Sequence, residues 1–284
     1  MRKINYLIVS IFLLVSLSIV PLRANNIIDA TNGVEPFATT ASITLYFENS
    51  SGTRLSGTVR IYFPSGSYSD YSIPTNGKKL TGLSVGTTYG FNLMVDGYAQ
   101  LSYEFSPTAA SNYSEEFVFY TYSYYPDFEP ALTSYTAPSA SSNQHFGYRN
   151  NGGQDFHTGV DFSRDGNGTR FEDMVTAPTT YSVCSGTIQR KAFVSGGGNV
   201  VQVKYTSNNK TYYVSYLHLA SYSCGAVDSA ISQGDAIGVV GATLYSANED
   251  DATMVKHLHL SISGSTSLSK IPGYFLDPIA FAVY

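Results

Sequence analysis

Histidine is rare in this chain of 284 residues, and all five histidines lie in its C-terminal half. Four of them fall in three short patterns. In the first pattern, His157 and Asp161 are four residues apart around a glycine. Their imidazole and carboxylate can converge on one metal ion, and both ligand types suit Zn²⁺. Alone, this pattern is weak evidence, because a histidine and an aspartate often fall at this spacing by chance.

The second pattern is the run HLHLSI, which contains His257 and His259. Side chains two residues apart on a strand share one face. Both imidazoles would therefore point the same way, while Leu258 and Leu260 would point into the core. The alternative is a half-exposed strand with two incidental polar residues. The third pattern, YLHL around His218, by itself indicates only a strand with one outward-facing histidine.

Taken together, the three patterns occur in an order that resembles the signature of the lysostaphin/LytM-type zinc metallopeptidases. Further motifs extend the resemblance over nearly all of residues 145–284. These motifs are FGYR at Phe146–Arg149, VTAP at Val175–Pro178 followed by SGTI at Ser185–Ile188, GGGNVV at Gly196–Val201 and SQGDAIG at Ser232–Gly238.

The resemblance implies a peptidase domain that binds one Zn²⁺. It implies that His157, Asp161 and His259 are the metal ligands, and that His218 and His257 are the catalytic histidines. Three protein ligands leave one tetrahedral position for water, as in catalytic zinc sites, and zinc makes hydroxide available near neutral pH. One catalytic histidine would take the proton of the water, and both could stabilise the oxyanion and pass a proton to the leaving amine.

The family's typical substrates are peptide cross-links of bacterial cell walls. We therefore expect a secreted zinc metalloendopeptidase that hydrolyses cross-links or stem peptides of peptidoglycan. One alternative is a catalytically silent relative that serves as a cell-wall binding or regulatory scaffold, although such relatives usually lack at least one of the residues named above. Another is an adhesion protein in which residues 41–122 bind carbohydrate or protein. The motifs HExxH and GxSxG are absent, so other zinc proteases and serine hydrolases are not indicated.

Several positions depart from the family pattern. Lys256 replaces a small residue beside His257, and Ser261 stands where Glu or Gln is common. The acidic segment Glu249–Asp251 is expected either to reshape a loop beside the substrate groove or to form a solvated turn. These differences bear on the bond that is cleaved more than on the metal site. His145 matches no ligand position, and we expect it to be a surface or structural residue.

The elements that must position these residues are β-strands. Tyr (24 residues), Phe (16) and Gly (25) are abundant, which suits strands and turns. Charged residues make up only 13%, about half the usual fraction, which argues against a coiled coil. We predict an all-β protein in which an N-terminal β-sandwich module precedes an antiparallel β-sheet peptidase domain. The predicted strands are Ser42–Phe47, Thr58–Phe63, Tyr89–Val95, Glu116–Tyr122, Tyr181–Arg190, Val200–Tyr205, Tyr212–Leu217, Ala236–Val240 and His257–Ile262.

The predicted sandwich module covers residues 41–122, where apolar and polar positions alternate between turn dipeptides. Its run Leu80–Tyr98 resembles the core of Cna-B-like or carboxypeptidase-regulatory-like sandwich modules, which implies a spacer or adhesion role. Residues 25–40 are predicted to form a lead-in. Residues 123–144 have the Pro, Ser and Thr content of a linker, and residues 145–284 form the predicted peptidase domain.

Residues 1–24 have the pattern of a secretory signal peptide, with Arg2 and Lys3 before the apolar run Leu7–Leu22 and a small residue at Ala24. An uncleaved anchor is the alternative, but the run is shorter than the roughly 20 residues of a spanning helix. We therefore expect a protein of the cell wall or periplasm with no stable membrane insertion after cleavage. The net charge of −5 argues against nucleic acid as a partner. We expect a monomer whose partner is peptidoglycan.

Cys184 and Cys224 are the two cysteines of the chain. In an oxidising compartment, two cysteines in one domain often pair, so a disulfide is the favoured expectation. Two buried thiols are the alternative. Metal ligation by these cysteines is least favoured, because better ligands exist elsewhere in the chain.

Overall fold

The N-terminal part of the chain folds as two four-stranded sheets. The computed structural model describes residues 39–138 and 143–281, so the predicted signal peptide lies outside the described residues. The strands of this part are β1 (Thr40–Asn49), β2 (Arg54–Leu55), β3 (Gly57–Tyr62), β4 (Tyr68–Ile73), β5 (Lys78–Ser84), β6 (Tyr89–Met94), β7 (Leu101–Phe105) and β8 (Asn112–Phe119). In one sheet β1 pairs with β2, β5 and β8, and the other sheet has the order β4-β3-β6-β7. Only the β1–β8 pair is parallel.

Alternating apolar side chains explain why these strands form a sandwich. In β1, Ile43, Leu45 and Phe47 are fully or almost fully buried, and they join a core that also contains Val59 and Phe91 from the other sheet. Each strand therefore buries one face between the sheets, as a period of two residues dictates. The predicted fold class, an all-β protein with an N-terminal β-sandwich, is confirmed.

The C-terminal part is built around a seven-stranded sheet with the order β11-β19-β15-β14-β13-β17, in which β20 pairs with β19. A hairpin of β9 and β10 and a small sheet with the order β12-β18-β16 complete it. All of these pairs are antiparallel, as predicted. The strands are β9 (Gly147–Asn150), β10 (Gln154–His157), β11 (Gly159–Phe162), β12 (Thr179–Tyr181), β13 (Gly186–Val194), β14 (Gly198–Ser207), β15 (Lys210–Leu217), β16 (Ser221–Tyr222), β17 (Ala230–Ile231), β18 (Ala236–Val239), β19 (Leu258–Ser263) and β20 (Phe275–Leu276).

Among the described residues, helical structure is limited to three short 3₁₀ turns, Tyr122–Tyr124, Phe171–Asp173 and Pro278–Phe281. Within the described ranges, no helix has the length and apolar character needed to cross a membrane.

Strand β19 brings the histidine-bearing motifs together. It pairs with β11 on one side, where His259 lies opposite Asp161. It pairs with β15 on the other side, where His259 lies opposite Leu217, the residue before His218. Leu258 and Leu260 are fully buried in the core, as the alternation of β19 predicts.

Two predicted strands differ in detail from the structure. The predicted strand Tyr181–Arg190 is two strands in different sheets, because β12 pairs with β18 whereas β13 pairs with β14. Between them, the main-chain N–H of Val183 donates to the Tyr216 hydroxyl at 2.8 Å, so the chain leaves one ladder before it enters the next. The strand that contains YLHL ends at Leu217, and His218 adopts a left-handed backbone with φ 63°.

The segment predicted as a linker packs against the C-terminal sheet where it is described. Tyr125, Phe128 and Leu132 are buried in its core, and the N–H of Phe128 donates to the carbonyl of Phe281 at 2.8 Å. The predicted domain boundaries remain a prediction, but residues 123–138 have the contacts of a structural element of the C-terminal part.

Both cysteines are free thiols, so the favoured expectation of a disulfide is wrong. Cys184 is buried in the C-terminal core, and Cys224 packs against that core from its edge. Burial raises the pKa of the Cys184 thiol to about 12, so this side chain behaves as a small apolar group. The alternative of two unpaired thiols is the one that the structure supports.

Asp277 is a buried carboxylic acid where the C-terminal end meets the N-terminal part, and its Oδ2 accepts the N–H of Gln100 at 3.4 Å. Burial raises its pKa from 3.8 to about 6. The folded state therefore binds a proton more tightly than the unfolded state, and its stability decreases as the pH rises from about 4 to about 6. A shift of this size corresponds to a decrease of about 3 kcal/mol in the free energy of unfolding over this pH range.

We predict that Asp277→Asn reduces this loss of stability between pH 4 and pH 7. The nearby Tyr122 and Tyr125 have raised pKa values and stay neutral in this range. The free energy of unfolding of the unmodified protein and of Asp277→Asn, measured with denaturant at pH 4 and pH 7, tests this prediction. An identical pH dependence in the variant would show that Asp277 does not titrate as described.

Candidate metal centre

Three predicted ligand residues meet at one end of β19. His157 Nε2 lies 3.1 Å from Asp161 Oδ1 and 3.0 Å from His259 Nδ1. His259 Nδ1 lies 2.8 Å from the same oxygen of Asp161. The two imidazoles are buried, and these three residues form a group that could hold a metal ion. His157 is the last residue of β10, Asp161 lies on β11 and His259 lies on β19.

The other ring nitrogen of each ligand imidazole has a polar partner. His157 Nδ1 lies 2.6 Å from the main-chain oxygen of His145, so Nδ1–H donates there and Nε2 carries the lone pair. His259 Nε2 lies 3.0 Å from Thr158 Oγ1. When Nε2–H donates to that hydroxyl, the lone pair of His259 is on Nδ1. Such partners are typical of metal-binding histidines, because they fix the tautomer and the ring orientation.

When both imidazoles are neutral in these tautomers, three lone pairs point at one another. Without a metal ion, protons shared between the histidines and Asp161 relieve this repulsion, and a metal ion between the three atoms would replace them. Zinc bonds of about 2.0–2.1 Å in tetrahedral geometry place ligand atoms about 3.3 Å apart. The separations of 2.8–3.1 Å are close to that value. Two imidazole nitrogens and one carboxylate oxygen are also a ligand set that zinc accepts. The residues therefore fit a zinc ion with one free position.

His218 and His257 lie beside this group. Their ring centroids are 4.8 Å apart, and the ring of His218 is 6.0 Å from that of His259. His218 Nδ1–H donates to the carbonyl of Thr243 at 2.9 Å, and His257 Nδ1–H donates to the carbonyl of Val255 at 2.7 Å. Each neutral imidazole therefore carries its lone pair on Nε2. The Nε2 of His257 is 3.7 Å from Asp161 Oδ1, so this lone pair lies next to the metal group.

Burial determines the charge of the site. It lowers the pKa of His218 to about 3, and repulsion from His257 and His259 acts in the same direction. It also lowers the pKa of His259 to about 4, against the attraction of Asp161. Burial would raise the pKa of Asp161, but attraction by His157 and His257 and hydrogen bonds from the histidines hold it well below its usual value. Near neutral pH the site thus presents a carboxylate and neutral imidazoles at His218 and His259.

Arg149 contacts the far side of the ligand carboxylate. Its Nη1 is 3.6 Å from Asp161 Oδ2, and its Nε donates to Asp155 Oδ2 at 3.0 Å. Oδ1 of Asp161 is thereby directed at the histidines and Oδ2 at the guanidinium. Arg149 is the last residue of the FGYR motif, which does not by itself predict this contact. Nothing in the sequence around His157 indicates that Thr158 contacts His259.

His145 does not join the metal group through its side chain. Its Nε2 lies 2.9 Å from the carbonyl of Pro138, and only its main-chain oxygen contacts the ligand His157. A sequence motif cannot identify such a contact, because every residue carries a carbonyl.

A groove of about 990 Å³ contains the metal group. One side includes Gly196 and Gly197 of the turn between β13 and β14, and another includes Met254 and Val255 of the loop before β19. The acidic segment braces that loop: Asp250 accepts the N–H of Ala242 at 2.7 Å and pairs with Lys256 at 3.3 Å. Lys256 is thus bound within the loop beside His257.

A buried His/Asp/His group with two further histidines in an open groove defines a candidate metal-dependent hydrolase. Residues 155–269 match the sequence model of Peptidase family M23. This match confirms the family resemblance found in the sequence. No curated protein matches the chain.

Several solved structures are similar to parts of the chain. The antimicrobial peptidase lysostaphin from Staphylococcus simulans is 27% identical, with 44% of this chain and 43% of that chain covered and a TM-score of 0.33. A putative glycyl-glycine endopeptidase lytM from Ruminococcus gnavus is 21% identical over 45% of this chain and 46% of that chain, with a TM-score of 0.36. A zinc containing peptidase from Vibrio cholerae is 16% identical over 69% and 51%, with a TM-score of 0.30. The chain spans less than half the length of the first two.

Proposed function

We propose that this protein is a secreted zinc metalloendopeptidase that hydrolyses peptide bonds in the cross-links or stem peptides of bacterial peptidoglycan. The observation that carries the proposal is the convergence of His157, Asp161 and His259, with two further histidines lining the same groove. The match of residues 155–269 to Peptidase family M23 supports a peptidase activity.

His157 Nε2, Asp161 Oδ1 and His259 Nδ1 would hold the zinc ion. When bound, zinc lowers the pKa of a coordinated water to about 7 and polarises a carbonyl group. His257, whose Nε2 lone pair lies beside the metal group, accepts a proton as the general base. His218, which is neutral near pH 7, is the second histidine beside the metal group. The proton taken from the attacking water and held on one of these two histidines can stabilise the oxyanion and then pass to the leaving amine.

Hydrogen bonds to main-chain carbonyls keep both catalytic imidazoles in place. Thr243 and Val255 accept the Nδ1–H groups of His218 and His257, so neither ring has to reorient before it takes up a proton on Nε2. The left-handed backbone of His218, which few residue types adopt, turns its side chain into the groove directly after β15 ends.

The charges along the groove support a peptide with free carboxylates as the substrate. The cationic residues Arg149, Arg164, Arg170 and Lys270 line it, and Asp161 is the acidic residue among the described lining positions. The side chains of Arg170 and Lys270 are 51% and 57% exposed, and each also pairs with an acidic residue, Glu172 and Asp155 respectively. Stem peptides of peptidoglycan carry such carboxylates, and a cationic groove attracts them although the chain has a net charge of −5.

Digestion of purified peptidoglycan tests the proposal. The full chain, loaded with zinc, is incubated with walls of several cross-link types, and the released fragments are identified by mass spectrometry. We expect soluble peptide fragments with new amino termini, which identify the cleaved bond. Tight binding of one zinc without fragments from any wall would contradict the peptidase proposal and would favour a catalytically silent scaffold.

A further inference from the structure

The N-terminal sandwich packs directly against the hairpin that leads into the metal centre. Strands β3, β6 and β7 contact β9, whose partner β10 ends at the ligand residue His157. An aromatic cluster fills this contact, with Tyr62 from the sandwich against Tyr148, Phe156 and Phe275. The Tyr148 hydroxyl also donates to Glu104 at 3.3 Å. The two parts of the chain therefore share a packed interface directly behind the site.

Asn92, at the centre of this interface, binds the main chain of Tyr148 through both ends of its amide. Its Nδ2 donates to the carbonyl of Tyr148 at 2.8 Å, and its Oδ1 accepts the N–H of Tyr148 at 2.7 Å. The side chain is buried, and Ser102 Oγ donates to the same oxygen at 3.2 Å. Nearby, Gln100 Nε2 donates to the carbonyl of Phe146 at 3.0 Å. Two side chains of the sandwich thus hold the main chain of residues 146–148.

Two glycines allow this close approach. A side chain at Gly90 would collide with the Tyr148 ring, and one at Gly147 would collide with the amides of Gln100 and Asn92. Gly147 also has φ 105°, a conformation that other residues rarely adopt. The interface thus requires specific residues on both sides.

The segment of residues 145–149, which Asn92 and Gln100 hold at positions 146–148, carries two groups that orient the proposed metal ligands. Directly before residues 146–148 lies the carbonyl of His145, which accepts Nδ1–H of His157. Directly after them lies Arg149, whose guanidinium is 3.6 Å from Asp161 Oδ2. A shift of this strand would move both groups away from His157 and Asp161. Loss of the hydrogen-bond partners of metal ligands typically lowers the metal affinity by about 10–100-fold.

We propose that the sandwich is part of the catalytic scaffold and that Asn92 is a positioning residue, which holds Tyr148 so that His145 and Arg149 orient the metal ligands. The inference rests on the proposed zinc site. It gives the N-terminal part a role within the enzyme itself, which differs from the spacer or adhesion role that its sequence implied.

The test compares Asn92→Ala with Leu45→Ala in the full chain. Leu45 is fully buried in the same sandwich core and lies on the sheet that does not contain β6. Its replacement therefore destabilises the sandwich without removing the hydrogen bonds of Asn92 and Gln100 to residues 146–148. At a temperature well below both melting points, we expect zinc to dissociate at least about 10-fold more readily from Asn92→Ala than from Leu45→Ala. Gln100→Ala, which removes one hydrogen bond, should show a smaller effect in the same direction.

Hydrogen–deuterium exchange provides a second readout that needs no zinc. We expect Asn92→Ala to increase exchange in the peptide that covers residues 145–157 more than Leu45→Ala does. Equal zinc affinity and equal exchange in the two variants would overturn the positioning role. If the unmodified protein binds no zinc, the proposed function fails, and the exchange comparison still decides whether Asn92 holds the strand.

Discussion

His257→Gln is expected to lower kcat/KM for hydrolysis of wall peptides by about 10²–10⁴-fold, the usual contribution of a general acid or base. Its Nε2 is 3.7 Å from Asp161 Oδ1, so it lies next to the metal group but outside the trio of His157, Asp161 and His259. The variant should therefore still bind one zinc ion. The measurement is steady-state hydrolysis of a soluble cross-linked peptide together with the zinc content of the same sample.

His218→Asn is the matched variant for the second catalytic histidine, because asparagine tolerates the left-handed backbone of this position. This variant should show a decrease in kcat/KM of similar size and should also still bind one zinc ion. Normal activity in either variant would contradict the assignment of that histidine. Loss of zinc would instead make the residue a metal ligand.

The second large effect is expected for His259→Ala, which removes a ligand. Zinc binding of about 10–16 kcal/mol shared over three or four ligands gives about 3 kcal/mol or more per ligand, so the affinity should fall at least about 100-fold. Zinc dissociation constants, measured by competition with a chromophoric chelator, test this expectation.

His145→Gln is the control for the loss of a histidine. The imidazole of His145 bonds to Pro138, and its substitution leaves the main-chain oxygen that His157 contacts. This variant should still bind one zinc ion. Equal zinc affinity of His259→Ala and the unmodified protein would remove His259 from the metal site.

Local sequence patterns predict parts of the metal group, whereas its three members together are what the family resemblance implies. The alternation of strand residues predicts that His257 and His259 point the same way, and the buried Leu258 and Leu260 show the opposite face of the same strand. The spacing of His157 and Asp161 spans the short turn between β10 and β11. These two relations depend on neighbours in the chain, but the contacts of His259 with His157 and Asp161 span 102 and 98 positions.

The surroundings of the site depend on contacts between distant residues, which a single sequence does not contain. Asn92 and Tyr148, whose main chain it binds, are 56 positions apart in the sequence. Contacts with a main-chain carbonyl such as that of Thr243 cannot be predicted from residue type, because every residue has a carbonyl. The left-handed backbone of His218 is rare outside glycine and cannot be predicted from YLHL. The unpaired state of Cys184 and Cys224 likewise depends on where the fold puts them.

Reconstitution of the metal-free protein with zinc tests the central claim most directly. The full chain is stripped with a chelator, and zinc is added in substoichiometric steps while new amino groups released from purified peptidoglycan are counted. We predict that activity is absent without metal, rises in proportion to added zinc and reaches a plateau at one zinc ion per chain. Release of amino groups that does not depend on zinc, or no release from any wall type with one zinc ion bound, would contradict the account.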